Sequence, residues 1–427
     1  MIDLKRLRQD PDGSRASLLR RADPAVARLV DEVLELDRRR RELLVRVESL
    51  KAERNSASEE VARRKRVKEP ADELMATLKS SGEQVKALDQ ELREVDAGLD
   101  QRALSLPNFP ASEVPDGDAS ANRVVRSWGE PVAFDFTPKP HWELAAALGI
   151  LDLPAGAKLA GSGFPLFRGA GARLVRALAA FMLDLHTREH GYTEVAPPYL
   201  VNRASLTGTG QLPKFEDDLY GTGADDLFLI PTAEVPVTNI HRDEILDGSQ
   251  LPFGYVAWTP CFRREAGAHG KDTRGLIRVH QFDKVELVRF SRPEDSPAEH
   301  ARMTEHAETV LRRLELPYRV VELAAGDTGF ASARTFDLEV WAPGVGAWLE
   351  ASSASTFTDF QARRANIRYR PEPKGKPEFL HTLNASGVAF PRTIIALLEN
   401  HQAADGSVRM PAPLVPYLGV DRLVPTA

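Results

Sequence analysis

Cysteine is almost absent from this chain of 427 residues. Cys261 stands alone, which excludes an internal disulfide and any cysteine-rich zinc site. The expected setting for a single thiol of this kind is a small place in the core. Long apolar runs are missing too: none approaches the roughly 18 residues of a membrane span. The opening MIDLKRLRQD has no apolar h-region, so no signal peptide is expected. Nor is there an excess of positive charge. The formal net charge is −6 and the pI about 6.0, so any contact with nucleic acid must come from local patches. The common nucleotide-binding loops fail as well. Gly270-Lys271 is followed by Asp272 rather than Ser or Thr, and no strand leads into GxGxxG. With 42% hydrophobic residues the chain can bury a substantial core, and its length suggests about three domain equivalents. A reduced, soluble, cytoplasmic protein fits this composition.

Glycine and proline are scarce between residues 26 and about 105, where only Gly82, Gly98 and Pro70 occur. There the apolar residues recur at alternating steps of four and three: Leu29, Val33, Leu36, then Leu43, Val47, Leu50. A second set runs Leu78, Val85, Leu88, Leu92, Val95, Leu99, and Arg40 and Ser81 interrupt the two seams. This spacing predicts two long antiparallel helices of coiled-coil type, turning near Lys68–Asp72 because proline stops a helix. Arg63, Arg64, Lys65, Arg66 and Lys68 sit by that turn. A charge run on a helix is ordinarily a solvated face. At the tip of a rod it can also reach a polyanion far from the body. The Pro- and Asp-rich stretch 107–120 reads as a linker.

The segment Pro260–Glu286, PCFRREAGAHGKDTRGLIRVHQFDKVE, reads as two strands joined by a polar loop. Alternation puts Arg263 with Glu265 on one face, and Arg278 with Phe282 and Glu286. Two guanidinium groups, two carboxylates and an aromatic ring suit a nucleotide together with a small charged substrate. In Pro231–Pro236, Thr232 and Glu234 alternate onto one strand face. In Trp348–Ser353, Glu350 and Ser352 share a face with Ser353 beside them, a hydroxyl–carboxylate set suited to a hard cation such as Mg²⁺. Residues Ala172 to Glu189, with Leu174, Leu178, Phe181, Met182 and Leu185, read as a helix feeding the strand GYTEVAPPYLV. Thr382–Arg392 reads as a small-residue strand entering a helix near Pro391, where proline and a phosphate are both at home.

These segments resemble the motifs of class II aminoacyl-tRNA synthetases: motif 1 ending at Pro198, motif 2 at Pro260–Glu286, motif 3 at Thr382–Arg392. The form is that of the bacterial-type seryl-tRNA synthetase family, and FDFTPKPHWELAAALGILDL, KLAGSGFPLF and FQARRANIRY add to the likeness. Gly163, Ala351 and Ala385 depart from common family residues. The resemblance implies an α+β fold: an antiparallel helical arm over residues 1–108, then a class II catalytic domain over 109–427 built on an antiparallel sheet flanked by helices. It implies a homodimer that activates L-serine with ATP and Mg²⁺ and charges tRNA(Ser), extending to tRNA(Sec), whose long variable arm the helical arm holds. By the same resemblance, Arg263, Glu286 and Arg392 are catalytic. Thr232, Glu234, Arg263, Glu286, Asn384 and Ser386 hold serine. Arg263, Glu265, Arg278, Phe282, Glu350, Ser352, Ser353 and Arg392 hold ATP, with Glu350 and Ser353 serving its metal. The basic tip residues then meet tRNA. Two other readings share these motifs. One is a paralogue that supplies seryl-tRNA to biosynthesis or confers inhibitor resistance. The other is a non-enzymatic RNA-binding coiled-coil protein.

Overall fold

The computed structural model describes residues 1–266 and 274–426. Gly270–Asp272, the stretch tested above for a phosphate loop, lies outside the described residues. The chain divides into two compact units. One comprises residues 2–19 and 23–107, the other Met1, 20–22 and 108–427.

The first unit is dominated by two long helices, α1 (Ala25–Arg66) and α2 (Asp72–Leu104), which turn at residues 67–71 with Lys68 in the left-handed region. They run antiparallel: Arg102 bonds Glu32 at 2.9 Å, Arg40 bonds Asp96 at 2.6 Å, and Lys51 bonds Asp89 at 3.1 Å. Leu43, Val47 and Leu88 form the middle of the seam, with Leu50, Leu92 and Val95 against them. Nearer the start of α1 the seam differs from the heptad reading by one residue. Val26, Val30, Val33 and Asp37 are buried there, whereas Leu29 and Leu36 are only partly so. Asp37 tolerates burial because Arg8 and Arg41 reach it at 3.5 and 3.2 Å.

The second unit is built on one eight-stranded sheet. In chain order its strands are β1 (Arg123–Trp128), β2 (Thr193–Glu194), β3 (Phe253–Phe262), β4 (Gln281–Ser291), β5 (Tyr318–Glu322), β6 (Arg334–Ala342), β7 (Ala347–Thr358) and β8 (His381–Ala389). The spatial order is β1-β5-β6-β7-β8-β4-β3-β2, antiparallel throughout except for the edge pair β2 and β3. The helices that position the site are α3 (Ala170–Arg188), α4 (Arg203–Thr209), α5 (Glu234–Thr238), α6 (Ser296–Arg313), α7 (Phe360–Ala365) and α8 (Phe390–Asn400). Leu174, Leu178 and Met182 of α3, Val310 of α6 and Ile394 and Leu398 of α8 share one apolar cluster with Val285, Leu287, Leu338 and Leu383 of the sheet. Because side chains alternate across a strand, Lys284 and Glu286 must face the other side of β4. One side of the sheet thus meets α3, α6 and α8, while the other carries polar chemistry beside a second apolar cluster in which Val288 and Phe290 of β4 join Val237 of α5 and Ala362 of α7.

Candidate functional site

The polar side of the central strands opens into a cavity of about 780 Å³. Its lining gathers Thr232, Glu234, Arg263, Glu265, Arg278, Phe282, Glu350, Ser353, Asn384, Ser386 and Arg392 from five separate chain segments. Glu286 is fully buried and reaches the cavity through Lys284 and Asn384, both of which line it. Asn384 donates to Glu286 Oε1 at 2.9 Å.

Three local expectations need correction. Arg263, Glu265 and Arg278 do not stand on a sheet face: β3 ends at Phe262 and β4 begins at Gln281. They lie in the connection between the strands and enter the cavity from there, with Glu265 and Arg278 forming an ion pair. Arg263 lies over the Phe282 ring, 5.3 Å from its centre, and donates to the Pro231 carbonyl at 3.3 Å. Thr232 and Glu234 are not on a strand either. Glu234 opens the short helix α5, and its amide donates to Thr232 Oγ1 at 3.3 Å. Finally, Ser352 does not share the face of Glu350. The pairing of β7 with β6 slips between Glu350 and Ser352, and this bulge reverses the alternation. Ser353 therefore joins Glu350, donating to its Oε1 at 3.4 Å, while buried Ser352 donates to the Ser386 carbonyl at 2.6 Å. Ser352 braces the neighbouring strand and is not among the residues lining the cavity.

Arg392 lies in the first turn of α8, next to Pro391, and donates to the Glu350 carbonyl at 2.6 Å with its carboxylate 3.2 Å away. A helix N-terminus and a guanidinium converge here, a setting that favours an anion.

Two charged groups that the motif reading did not single out belong to this wall. Lys284 bonds Thr232 Oγ1 at 2.8 Å and forms a buried ion pair with Glu286. Its position between Phe282 and Glu286 on one strand face was the available signal. Asp337 of β6 accepts a hydrogen bond from Ser353 Oγ. Nothing in the local sequence marks Asp337; only the register of β6 against β7, which pairs Asp337 with Ser353, brings it here.

Burial sets the electrostatics. Loss of hydration, followed by repulsion from Glu286, pushes the Glu234 carboxyl up to about 7. Burial also raises Glu286, against the pull of Lys284. Asp337 is raised well above the usual carboxylate range by burial and by neighbouring Glu350. Burial raises the Cys261 thiol as well, as expected of a core residue with no part in the site. Among the described residues no cluster of three or more His, Cys, Asp or Glu side chains is arranged to hold a metal by itself. Glu350, Ser353 and Asp337 nevertheless offer hard oxygen donors beside Arg392, which suits a cation that arrives bound to phosphate.

The basic tip residues lie in or just after the last turn of α1. Arg63 is paired with Glu60 at 2.7 Å and Glu69 at 3.4 Å, and Arg64 bonds Glu60 at 2.9 Å. Lys65, Arg66 and Lys68 are exposed and make no ion pair among the described residues.

Comparison with known proteins agrees with this geometry. The Seryl-tRNA synthetase N-terminal domain matches residues 1–110, and the tRNA synthetase class II core domain (G, H, P, S and T) matches residues 214–401. A serine–tRNA ligase of Gemmatimonas aurantiaca is 56% identical over 420 residues, covering 98% of this chain and 99% of its own. One from Pelobacter propionicus is 54% identical over the same shares. Among solved structures, seryl-tRNA synthetase from Pyrococcus horikoshii, complexed with ATP, matches with a TM-score of 0.96 and 40% identity over 100% of both chains. By sequence along its whole length and by fold, this chain belongs to the seryl-tRNA synthetase family of class II aminoacyl-tRNA synthetases.

Proposed function

We propose that the cavity activates L-serine with ATP and that the same site then transfers the seryl group to tRNA(Ser). The observation that carries this reading is the division of the cavity. Arg263, Arg278 and Arg392 supply cationic groups for a triphosphate, while Thr232, Glu234, Lys284, Glu286, Asn384 and Ser386 form a compact polar wall. In the first step a serine carboxylate oxygen attacks the α-phosphorus of ATP and pyrophosphate leaves. The nucleophile is already an anion, so the protein needs no base; it aligns the partners and stabilises charge. Arg263 spans the α-phosphate and the serine carboxylate. Phe282 stacks on adenine, Glu265 accepts from its amino edge, and Arg278 and Arg392 grip the outer phosphates. In the second step the terminal ribose hydroxyl of the tRNA attacks the seryl carbonyl carbon, and AMP departs.

Glu234 and Thr232 meet the substrate ammonium, and Glu286 with Ser386 meets its hydroxyl. A wall built to bond a hydroxyl rejects alanine strongly, by roughly 10⁴–10⁵, because the empty partner strands buried polar groups. Glu350 and Ser353 would hold Mg²⁺ arriving with ATP, and its charge would offset that of the phosphates. Ser352 takes no part, because its hydroxyl is spent on the Ser386 carbonyl. The tip of the helical arm meets the variable arm of the tRNA, the unit carrying α3 and β2 pairs with a second copy of the chain, and the enzyme works in the cytoplasm. The seryl-charging reading covers tRNA(Ser) and extends to tRNA(Sec).

The assignment is tested by serine-dependent exchange of pyrophosphate into ATP. Glu286→Ala is expected to abolish exchange while leaving the unfolding transition cooperative. Near-normal exchange by that variant rules out the pocket assignment.

A further inference from the structure

We infer that Gln361, held in turn by Thr382, is a positioning residue that fixes how Glu234 presents its carboxylate to the substrate ammonium. This deepens the reading above and rests on its assignment of Glu234.

Gln361 belongs to α7, is completely buried, and does not line the cavity. Its side-chain amide has three partners. Nε2 donates to Glu234 Oε1 at 2.5 Å and to the Thr209 carbonyl at 3.2 Å, while Oε1 accepts from Thr382 Oγ1 at 2.7 Å. The orientation of a buried amide is normally ambiguous, but here one partner decides it. A backbone carbonyl has no hydrogen to give, so the nitrogen must face Thr209, and the same nitrogen faces Glu234. Oε1 then points at Thr382, whose hydroxyl must donate. Thr382 is itself fully buried on β8, two residues before Asn384.

The consequence for Glu234 is directional. Oε1 is committed as an acceptor whatever the protonation state, so any proton on this carboxyl must reside on Oε2. Among the described residues Oε2 accepts no hydrogen bond, and Glu234 lines the cavity. The free oxygen is therefore the one left for the ligand. The charged groups acting on this carboxyl are Glu286 and Lys284 of β4 and Arg263 of the β3–β4 connection, the first opposing its ionisation and the other two favouring it. Gln361 adds a neutral donor from the far side and favours the anion, the form that binds an ammonium.

The test measures serine and ATP dependence of pyrophosphate exchange in Gln361→Met, which keeps length and bulk but removes the donor, and in Thr382→Val. For Gln361→Met the KM for serine should rise roughly tenfold or more at pH 7, the range for a hydrogen bond to a charged group. The KM for ATP and kcat should stay close to the wild-type values. Removing the donor favours the protonated acid, so the serine penalty should shrink as pH rises from 7 towards 8.5. Thr382→Val should show the same pattern with a smaller rise. If both variants raise the two KM values together, or lose stability with serine dependence unchanged at every pH, the inference is wrong and Gln361 is a packing residue. The wild type, run alongside, separates the two claims: no serine-dependent exchange there refutes the proposed function itself.

Discussion

A carboxylate buried as deeply as Glu234 opposes folding at neutral pH. Its carboxyl is raised to about 7 from an ordinary value near 4.5. A raised value means the folded state holds its proton longer than the unfolded chain. The stabilising effect is complete below the unfolded value and is lost as pH climbs through about 7. Glu234→Gln should therefore stabilise the protein above neutrality, by about 2–3 kcal/mol at pH 8, while abolishing serine-dependent exchange. Chemical denaturation at pH 8 checks the first half and the exchange assay the second. A variant that is both inactive and less stable would mean that Glu234 serves the fold. Such trade-offs are the mark of residues kept for chemistry.

At the level of elements, α1 and α2 end in a tip whose free cations are Lys65, Arg66 and Lys68; Arg63 and Arg64 are already engaged by Glu60. Replacing those three by glutamate should lower tRNA charging efficiency by about tenfold at physiological salt and flatten its salt dependence, with pyrophosphate exchange unchanged. Equal loss of both activities would point to a structural role for the tip.

The same element shows how far the sequence could be read. The helices, their turn at Pro70 and the middle of their seam followed from apolar spacing. The start of the seam did not, because spacing cannot announce a buried Asp37 answered by two arginines, one of them distant in sequence. In the second unit the motif residues named for serine and ATP line the cavity, apart from Glu286 and Ser352, yet strand alternation misplaced three details. The bulge after Glu350 exchanged Ser352 for Ser353, Glu234 turned out to start a helix, and the motif 2 arginines stood beyond the strand ends. Asp337 and Gln361 were invisible for a different reason. Each acts through a partner more than fifteen residues away, and only the folded register shows it.

Over the whole molecule, histidine chemistry sets an acid limit. His186 of α3 and His190, just beyond the end of that helix, bond to one another at 2.9 Å, and His190 stacks on His306 of α6, whose Nδ1 lies 3.1 Å from the Tyr192 hydroxyl. Burial lowers all three, His306 to about 3, and lowers buried His300 to about 4. Lowered values stabilise the fold above the unfolded value of about 6.5, and this contribution is lost as pH falls towards 4. The denaturation midpoint of His306→Gln should therefore drop less than that of the wild type between pH 7 and pH 5. Parallel drops would remove this group from the acid response. No described helix is long and apolar enough to cross a membrane.

Lys284 carries one more consequence. A pocket that receives a zwitterion must leave two carboxylates, Glu234 and Glu286, facing one another whenever it is vacant. Here a cation fastened to the strand already neutralises one of them and touches the threonine beside the other. Serine thus arrives at a wall in which one of the two carboxylates is already paired, and its departure does not strand a bare pair of like charges. The other carboxyl, Glu234, is raised to about 7, so at neutral pH it can take up a proton as the pocket empties and shed it as the next serine binds.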